Sequence, residues 1–196
     1  MKRFGDCNIQ LIGGQIMSRV TANVDKGEEG LRSVKVVIPK AIHQDGTIDA
    51  KEMPEELLKT EPDSKKIVKK GDIVMKLSTP YDAAIVDEDS EGGIVPSFCA
   101  IVKHGKDIDP GYLLAFLNSE YCKDQLRLQV TGSVMTVLSV GKIANIMFPL
   151  PSLTEQKEIG DAFFGTQNKL KLIRQIAELE SKKNDITFRD LVKKYE

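Results

Sequence analysis

The chain has 196 residues, 41% of them hydrophobic and 29% charged, with 28 Lys and Arg set against 29 Asp and Glu. That length can bury a true core. The composition lies far from the low-hydrophobicity, high-charge regime of disorder, and no apolar run approaches the roughly 20 residues that span a bilayer. A formal net charge of -1 supplies no overall attraction to nucleic acid, so any basic surface must be local.

The opening Met1-Lys2-Arg3-Phe4-Gly5-Asp6 turns polar at once, without the apolar core of a signal peptide, which predicts a cytoplasmic protein. Cys7, Cys99 and Cys122 are odd in number and far apart, and only His43 and His104 could join them as ligands. Neither a disulfide framework nor a structural zinc site is expected, and no metal is assigned. Ser33 to Ile38 reads as a β-rich run. Acidic residues then crowd one stretch, from Asp45 through Glu52 to Asp63, and Lys65, Lys66, Lys69 and Lys70 follow directly. Such a run is either a solvated face or a local basic patch.

Three more strands are predicted at Ile73 to Leu77, Ala83 to Val86 and Ile94 to Val102, separated by Gly, Pro and acidic turn residues. Asp109-Pro110 places a capping side chain before a proline at the first helical position, and Tyr112, Leu113, Phe116 and Leu117 form an apolar stripe. A helix is expected from Pro110 to about Arg127, interrupted near Asn118-Ser119. After Thr131-Gly132-Ser133 comes the mainly apolar segment Val134 to Phe148, with Gly141 as the expected break between a short helix and a strand. Pro149 and Pro151 disfavour helix before them, and Ser152-Leu153-Thr154-Glu155 has the spacing of a capping box, so a new helix starts there. From that point Ile159, Phe163, Leu170, Ile173 and Ala177 follow a four-three spacing, with Thr166 in one slot and Leu172, Ile176 and Leu179 as a flanking row. A helix from Thr154 to about Ser181 is roughly 40 Å long at about 1.5 Å per residue, too long for a small sheet domain to cover. Ile186, Phe188, Leu191 and Val192 either continue it or fold back on it.

Catalytic signatures are missing. There is no G-x-G-x-x-G, no Walker-type loop and no G-x-S-x-G, and the Asn-Pro-Pro-aromatic tetrapeptide of an adenine methyltransferase is absent. Cys99 and His104 fix no geometry for a thiol and imidazole pair.

Three blocks in order carry a family resemblance: Phe4-Gly5-Asp6 leading to Gly13-Gly14-Gln15, then Gly71-Asp72-Ile73-Val74, then Phe148-Pro149-Leu150-Pro151-Ser152-Leu153-Thr154-Glu155-Gln156. Together they resemble the specificity subunit of type I restriction-modification systems. The helix around Tyr112 to Ser119 and the Thr131-Gly132-Ser133 turn sit where that family's target recognition domain has them. Family members carry two recognition domains and two long helices in tandem, so this chain resembles half of such a subunit.

The resemblance implies an α+β fold: a single target recognition domain of short strands and helices over residues 1–151, then a long coiled-coil-like helix and tail over 152–196. It further implies a non-catalytic chain with no cofactor of its own. Its partners would be double-stranded DNA, a separate methyltransferase subunit bringing S-adenosylmethionine and, in complete systems, an ATP-dependent restriction subunit. In the family the two helices pack antiparallel. Homodimerisation through Ile159, Phe163, Leu170, Ile173 and Ala177 would reproduce that arrangement over an interrupted palindrome.

Family recognition loops vary, so the reading residues are chosen by chemistry. Arg or Lys suits guanine and Gln or Asn suits adenine, which selects loop-flanking Arg19, Arg32, Lys35, Gln129 and Ser133 for base edges. Lys65, Lys66, Lys69 and Lys70 are the phosphate candidates. Gln15, beside the Gly13-Gly14 turn, is a reader or a structural residue. The competing reading is a protein-interaction adaptor that uses the helix seam without reading DNA.

Overall fold

The computed structural model describes residues 1–23, 27–130 and 137–195, so the Thr131-Gly132-Ser133 turn, with candidate Ser133, lies outside the described residues. The elements run β1 (Lys2–Arg3), β2 (Ile9–Gly13), β3 (Arg32–Lys35), β4 (Glu55–Leu58), β5 (Ile73–Lys76), β6 (Ala83–Ile85), β7 (Cys99–His104), α1 (Pro110–Asn118), α2 (Glu120–Leu128), α3 (Val140–Ala144), β8 (Met147–Phe148) and α4 (Leu153–Val192). This is the expected α+β architecture with a long C-terminal helix.

A four-stranded antiparallel sheet of order β2-β7-β5-β6 forms the centre. Its two inner strands bury side chains on both faces. Ile73 and Met75 of β5, with Ala100 and Val102 of β7, join Phe4, Tyr112, Leu113, Phe116 and Phe148 on the side of α1 and α2. Val74, Ile101 and Cys99 pack the other way, against Val37, Ile42, Ile48 and Val95. A two-sided burial requires near-continuous apolar residues, which is why β5 was visible in the sequence. A separate antiparallel pair, β3 with β4, buries Val34 and Leu58 with Ile94 and Val20. The short pair β1–β8 ties the start of the chain to the segment that precedes α4.

The structure corrects four expectations. The strand expected over Ile94 to Val102 begins only at Cys99 and reaches His104; Pro96, which has no N–H to give a ladder, keeps Ile94 and Pro96 as isolated bridges. Strands β2 and β4 were not foreseen: β2 is an edge strand ending in glycine, and β4 begins on the acidic Glu55-Glu56. Gly141 sits inside α3 rather than ending it, and the turn to β8 falls at Asn145-Ile146. α4 runs to Val192 instead of Ser181, and the tail continues the helix, since no Gly or Pro interrupts that stretch.

A buried ionic triad locks the open end of β5 to α2. Asp82 accepts hydrogen bonds from Lys76 at 2.9 Å and from Lys123 at 2.8 Å, and the Lys123 side chain is only 2% exposed. Burial alone pushes the Asp82 carboxyl up, but the hydrogen bonds and charges of Lys123 and Lys76 outweigh it and hold it below the ordinary carboxylate range. Asp82→Asn leaves the Lys123 ammonium buried without a counter-charge and is expected to cost about 3–5 kcal/mol in chemical denaturation at neutral pH. Because the native carboxyl titrates lower than the unfolded one, at about 3.9, this stabilisation is present above that pH and lost as pH falls through the native value. The gap between variant and wild type should therefore narrow below about pH 4; a gap that widens in acid contradicts the triad's role.

Candidate nucleic-acid interface and the long helix

The first turns of α4 are fastened to the start of α1 by small residues and one buried amide. Ser152 and Glu155 form a reciprocal capping box at the start of α4. Gln156, 1% exposed, accepts the Asp109 N–H at 2.9 Å and donates to the carbonyls of Pro151 at 3.0 Å and Asp107 at 3.3 Å. Asp109 in turn caps α1 through the Tyr112 N–H at 2.9 Å. One turn along, Gly160 meets Gly111: a Cβ on Gly160 would lie 2.8 Å from an Asp109 carboxylate oxygen and 2.9 Å from the Tyr112 nitrogen. The Tyr112 hydroxyl donates to the Pro149 carbonyl at 2.6 Å, fixing the approach to the helix. Further along, Phe163 reaches the Gly46 turn, where a side chain would collide with Leu114. Gln156 belonged to the Pro149-to-Gln156 block in the sequence; Gly160 had no visible signal there.

Beyond this junction α4 has two different sides. At 3.6 residues per turn, Gln156, Gly160, Phe163 and Gln167 share the side turned to the domain, whereas Leu172, Ile176 and Leu179 fall on nearly the opposite side and Ile186 lies at the edge of that stripe, roughly 110° round from the domain side. All four of the latter are exposed, Ile176 by 61%. The seam residues are thus divided. Phe163 packs on the domain core, and Leu170 lines a recess between α4 and the loop at Gln44-Asp45. Ile159, Ile173 and Ala177 are exposed.

Several candidate DNA residues gather around the segment Gly93 to Phe98. Ile94 is bridged by Val36 on one side and Ile67 on the other, so Lys35 and Lys66 flank it; the Lys35 carbonyl accepts the Ile94 N–H, and the Lys66 carbonyl accepts the Val95 N–H. Gln15 bridges Pro96, and Arg19 follows on a short 3-10 turn whose Arg19 N–H returns to Ile16. Gln15 is buried, and its amide donates to the Ile16 carbonyl, a structural role. The side chains of Arg19, Lys35 and Lys65 are exposed, and among the described residues they form no ion pair.

The other candidates are placed apart. Arg32 forks Glu61 at 2.9 and 3.2 Å. The chain from Lys65 to Lys70 runs the length of the sheet, so Lys69 and Lys70 sit by the Gly71 turn at the other end, where Lys70 pairs with Glu88. Gln129 caps the end of α2.

Cys99 and His104 occupy opposite ends of the six-residue β7 and cannot form a thiol and imidazole pair. Burial pushes the thiols of Cys99 and Cys122 up to about 12, which leaves them unreactive. The group of His43, Asp49 and Glu52 brings potential ligand atoms within 4.8 Å of one another beside a cavity of about 400 Å³. Lys40, however, already holds one Glu52 oxygen at 2.9 Å, and His43 approaches the other at 3.4 Å.

The family model described as "Type I restriction modification DNA specificity domain" matches residues 55–181. The type I restriction enzyme MjaVIII specificity subunit of Methanocaldococcus jannaschii is 27% identical over 132 residues, covering 64% of this chain and 31% of that protein. The HsdS subunit from Thermoanaerobacter tengcongensis superposes with a TM-score of 0.61 at 18% identity, over 91% of this chain and 47% of that one. A solved chain from work on the complex assembly and conformational transition of a type I R-M system gives a TM-score of 0.63 at 18% identity, over 89% and 46%. The chain therefore spans about a third to a half of these relatives, and the structural likenesses concern the fold.

Gly160→Ala tests the junction. It is expected to disturb the Asp109 cap and Gly111, lowering hydrogen-exchange protection at Tyr112 and Leu113 by about tenfold or more while leaving β5 and β7 unchanged. Unchanged protection at α1 contradicts the docking described.

Proposed function

The chain belongs to the family of type I restriction modification DNA specificity domains, and from that premise we propose that it is a half-subunit that reads one half of a bipartite DNA site as a homodimer. In this reading residues 1–151 are the recognition domain and 152–196 the spacer and dimerisation helix. The observation that carries it is the two-sidedness of α4: one side is committed to its own domain, and the opposite side holds an exposed apolar stripe of Leu172, Ile176, Leu179 and Ile186. A second α4 laid antiparallel on that stripe would place the two domains on the outer sides of a helix pair.

The homodimer directs a separate methyltransferase subunit, and where present a restriction subunit, to the site. It needs no catalytic group of its own for this task. The near-neutral charge supports a division of labour in which the methyltransferase supplies much of the phosphate attraction, and this chain supplies base contacts from Arg19, Lys35 and neighbouring loops with Lys65 as a phosphate contact. Arg32, Lys66, Lys69, Lys70, Gln129 and Ser133 remain proposed contacts of the second rank. Ion pairing of Arg32 and Lys70 lowers their availability to DNA.

Two experiments test the proposal. Selection from a randomised duplex pool, with the chain alone and with its methyltransferase, should enrich an interrupted palindrome and do so more strongly in the mixture. No enrichment despite association of the two proteins would favour the adaptor reading. Ile176→Glu with Leu179→Glu places charges on the stripe opposite the domain and should reduce self-association at least about a hundredfold in sedimentation equilibrium without altering domain stability. An unchanged association constant would show that the stripe is not the interface.

A further inference from the structure

Phe98 stands out at the end of the Gly93 to Phe98 segment, whose backbone is hydrogen-bonded to the stretches that carry Arg19, Lys35 and Lys65. The residue is 60% exposed, although a buried Phe side chain is worth about 1.5–3 kcal/mol to a fold. The mount beneath it is rigid. The Ser97 N–H donates to the Gln15 carbonyl at 2.8 Å, the Phe98 carbonyl accepts the Leu77 N–H at 2.9 Å, and the Cys99 N–H returns to Pro96 at 2.9 Å. Gly14 lies so close that a Cβ there would be 2.0 Å from the Pro96 carbonyl oxygen, so the neighbouring chain closes tightly around the turn. Ile16, one residue past Gln15, is exposed as well.

We propose that Phe98 is a specificity residue that packs on the 5-methyl group of a thymine in the major groove. The inference rests on the DNA-recognition reading above and deepens it by naming a base. Thymine is the one base that presents an apolar group in that groove, and an apolar side chain is its natural complement. Exposed Lys65 on a surrounding segment provides a phosphate anchor, and exposed Arg19 and Lys35 are available for neighbouring base edges, so the ring arrives at the groove without carrying the affinity itself. A wedge driven between base pairs is the other use of an exposed aromatic, but it requires a free-standing ring and unstacking of a base step. Phe98 sits on a two-residue turn with two-fifths of its surface held against protein, which suits contact over a groove floor.

The test uses the complex of the chain with its methyltransferase on the DNA that the wild type selects. Each thymine is replaced in turn by deoxyuridine, which removes the methyl group alone, and binding is measured for wild type and Phe98→Ala. The expected result is one thymine per half-site whose replacement weakens wild-type binding about three- to fivefold. Phe98→Ala should weaken binding to the unmodified site by at least that factor and be indifferent to the same replacement. The residue is exposed, so the variant should fold; its thermal midpoint checks this.

If no uracil position discriminates the two proteins, or Phe98→Ala binds as well as wild type, the assignment is overturned while DNA recognition stands. A rise in 2-aminopurine fluorescence at one base step that depends on Phe98 also overturns it, in favour of a wedge. If the wild type selects no DNA, the recognition reading and this inference fall together.

Discussion

Everything that α4 can do depends on how its first two turns are held. A 40-residue helix is about 60 Å long at about 1.5 Å per residue, and most of that length has no domain to lean on. Its direction is therefore set at the N-terminal end. Gln156 satisfies three backbone groups that would otherwise be buried unpaired, each hydrogen bond worth about 1 kcal/mol net and more if left unmade. Gly160 against Gly111 lets the two backbones approach without side chains between them, and Asp109 serves both helices at once, as cap of α1 and as the backbone partner of Gln156. Small angular errors at such a junction would be magnified along the helix, so a close-packed, hydrogen-bonded contact is what keeps so long a helix in one direction.

From that constraint follows the division of α4 into two sides. Docking through Gln156, Gly160 and Phe163 fixes which residues look inward, and by helical geometry leaves Leu172, Ile176, Leu179 and Ile186 looking outward. Exposed apolar residues in a row are unlike the scattered ones found on any protein surface, and they ask for a partner. The domain at the other end is organised by an equally local device. The strand-to-turn segment from Gly93 to Phe98 is hydrogen-bonded to residues near Gln15, Lys35 and Lys66, which come from three distant parts of the sequence. A surface assembled this way is tightly cross-linked, as the proposed base readout would require, because misplaced donors and methyl contacts lose discrimination.

Much of the fold was legible because local and tertiary demands coincide. The Ser152-to-Glu155 capping box, the Asp109-Pro110 start of α1 and the break at Ser119 each satisfy a backbone requirement with a residue two or three positions away. Strand β2 escaped notice because its partner β7 supplies the burial that its own short sequence does not announce, and β4 because Glu55 and Glu56 look like part of an acidic loop. The four-three pattern from Ile159 to Ala177 was visible, but periodicity cannot tell a side that meets its own domain from one that meets a partner; Phe163 and Ile173 share the pattern and differ in burial. The lysines from 65 to 70 are neighbours in sequence and spread along the sheet in space. Asp82 with Lys123 and Lys76 could not be read at all, because their meeting depends on how α2 lands against β5.

The central claim is geometric: a domain, two helices and a second domain in that order across the particle. Small-angle X-ray scattering with in-line mass measurement tests it most directly. The account predicts a mass twice the chain's 21.7 kDa and a pair-distance distribution with two maxima, one from distances within a domain and a second from distances between two domains separated by the helix pair. A mass of one chain at all concentrations, or a dimer with a single compact maximum, would contradict it.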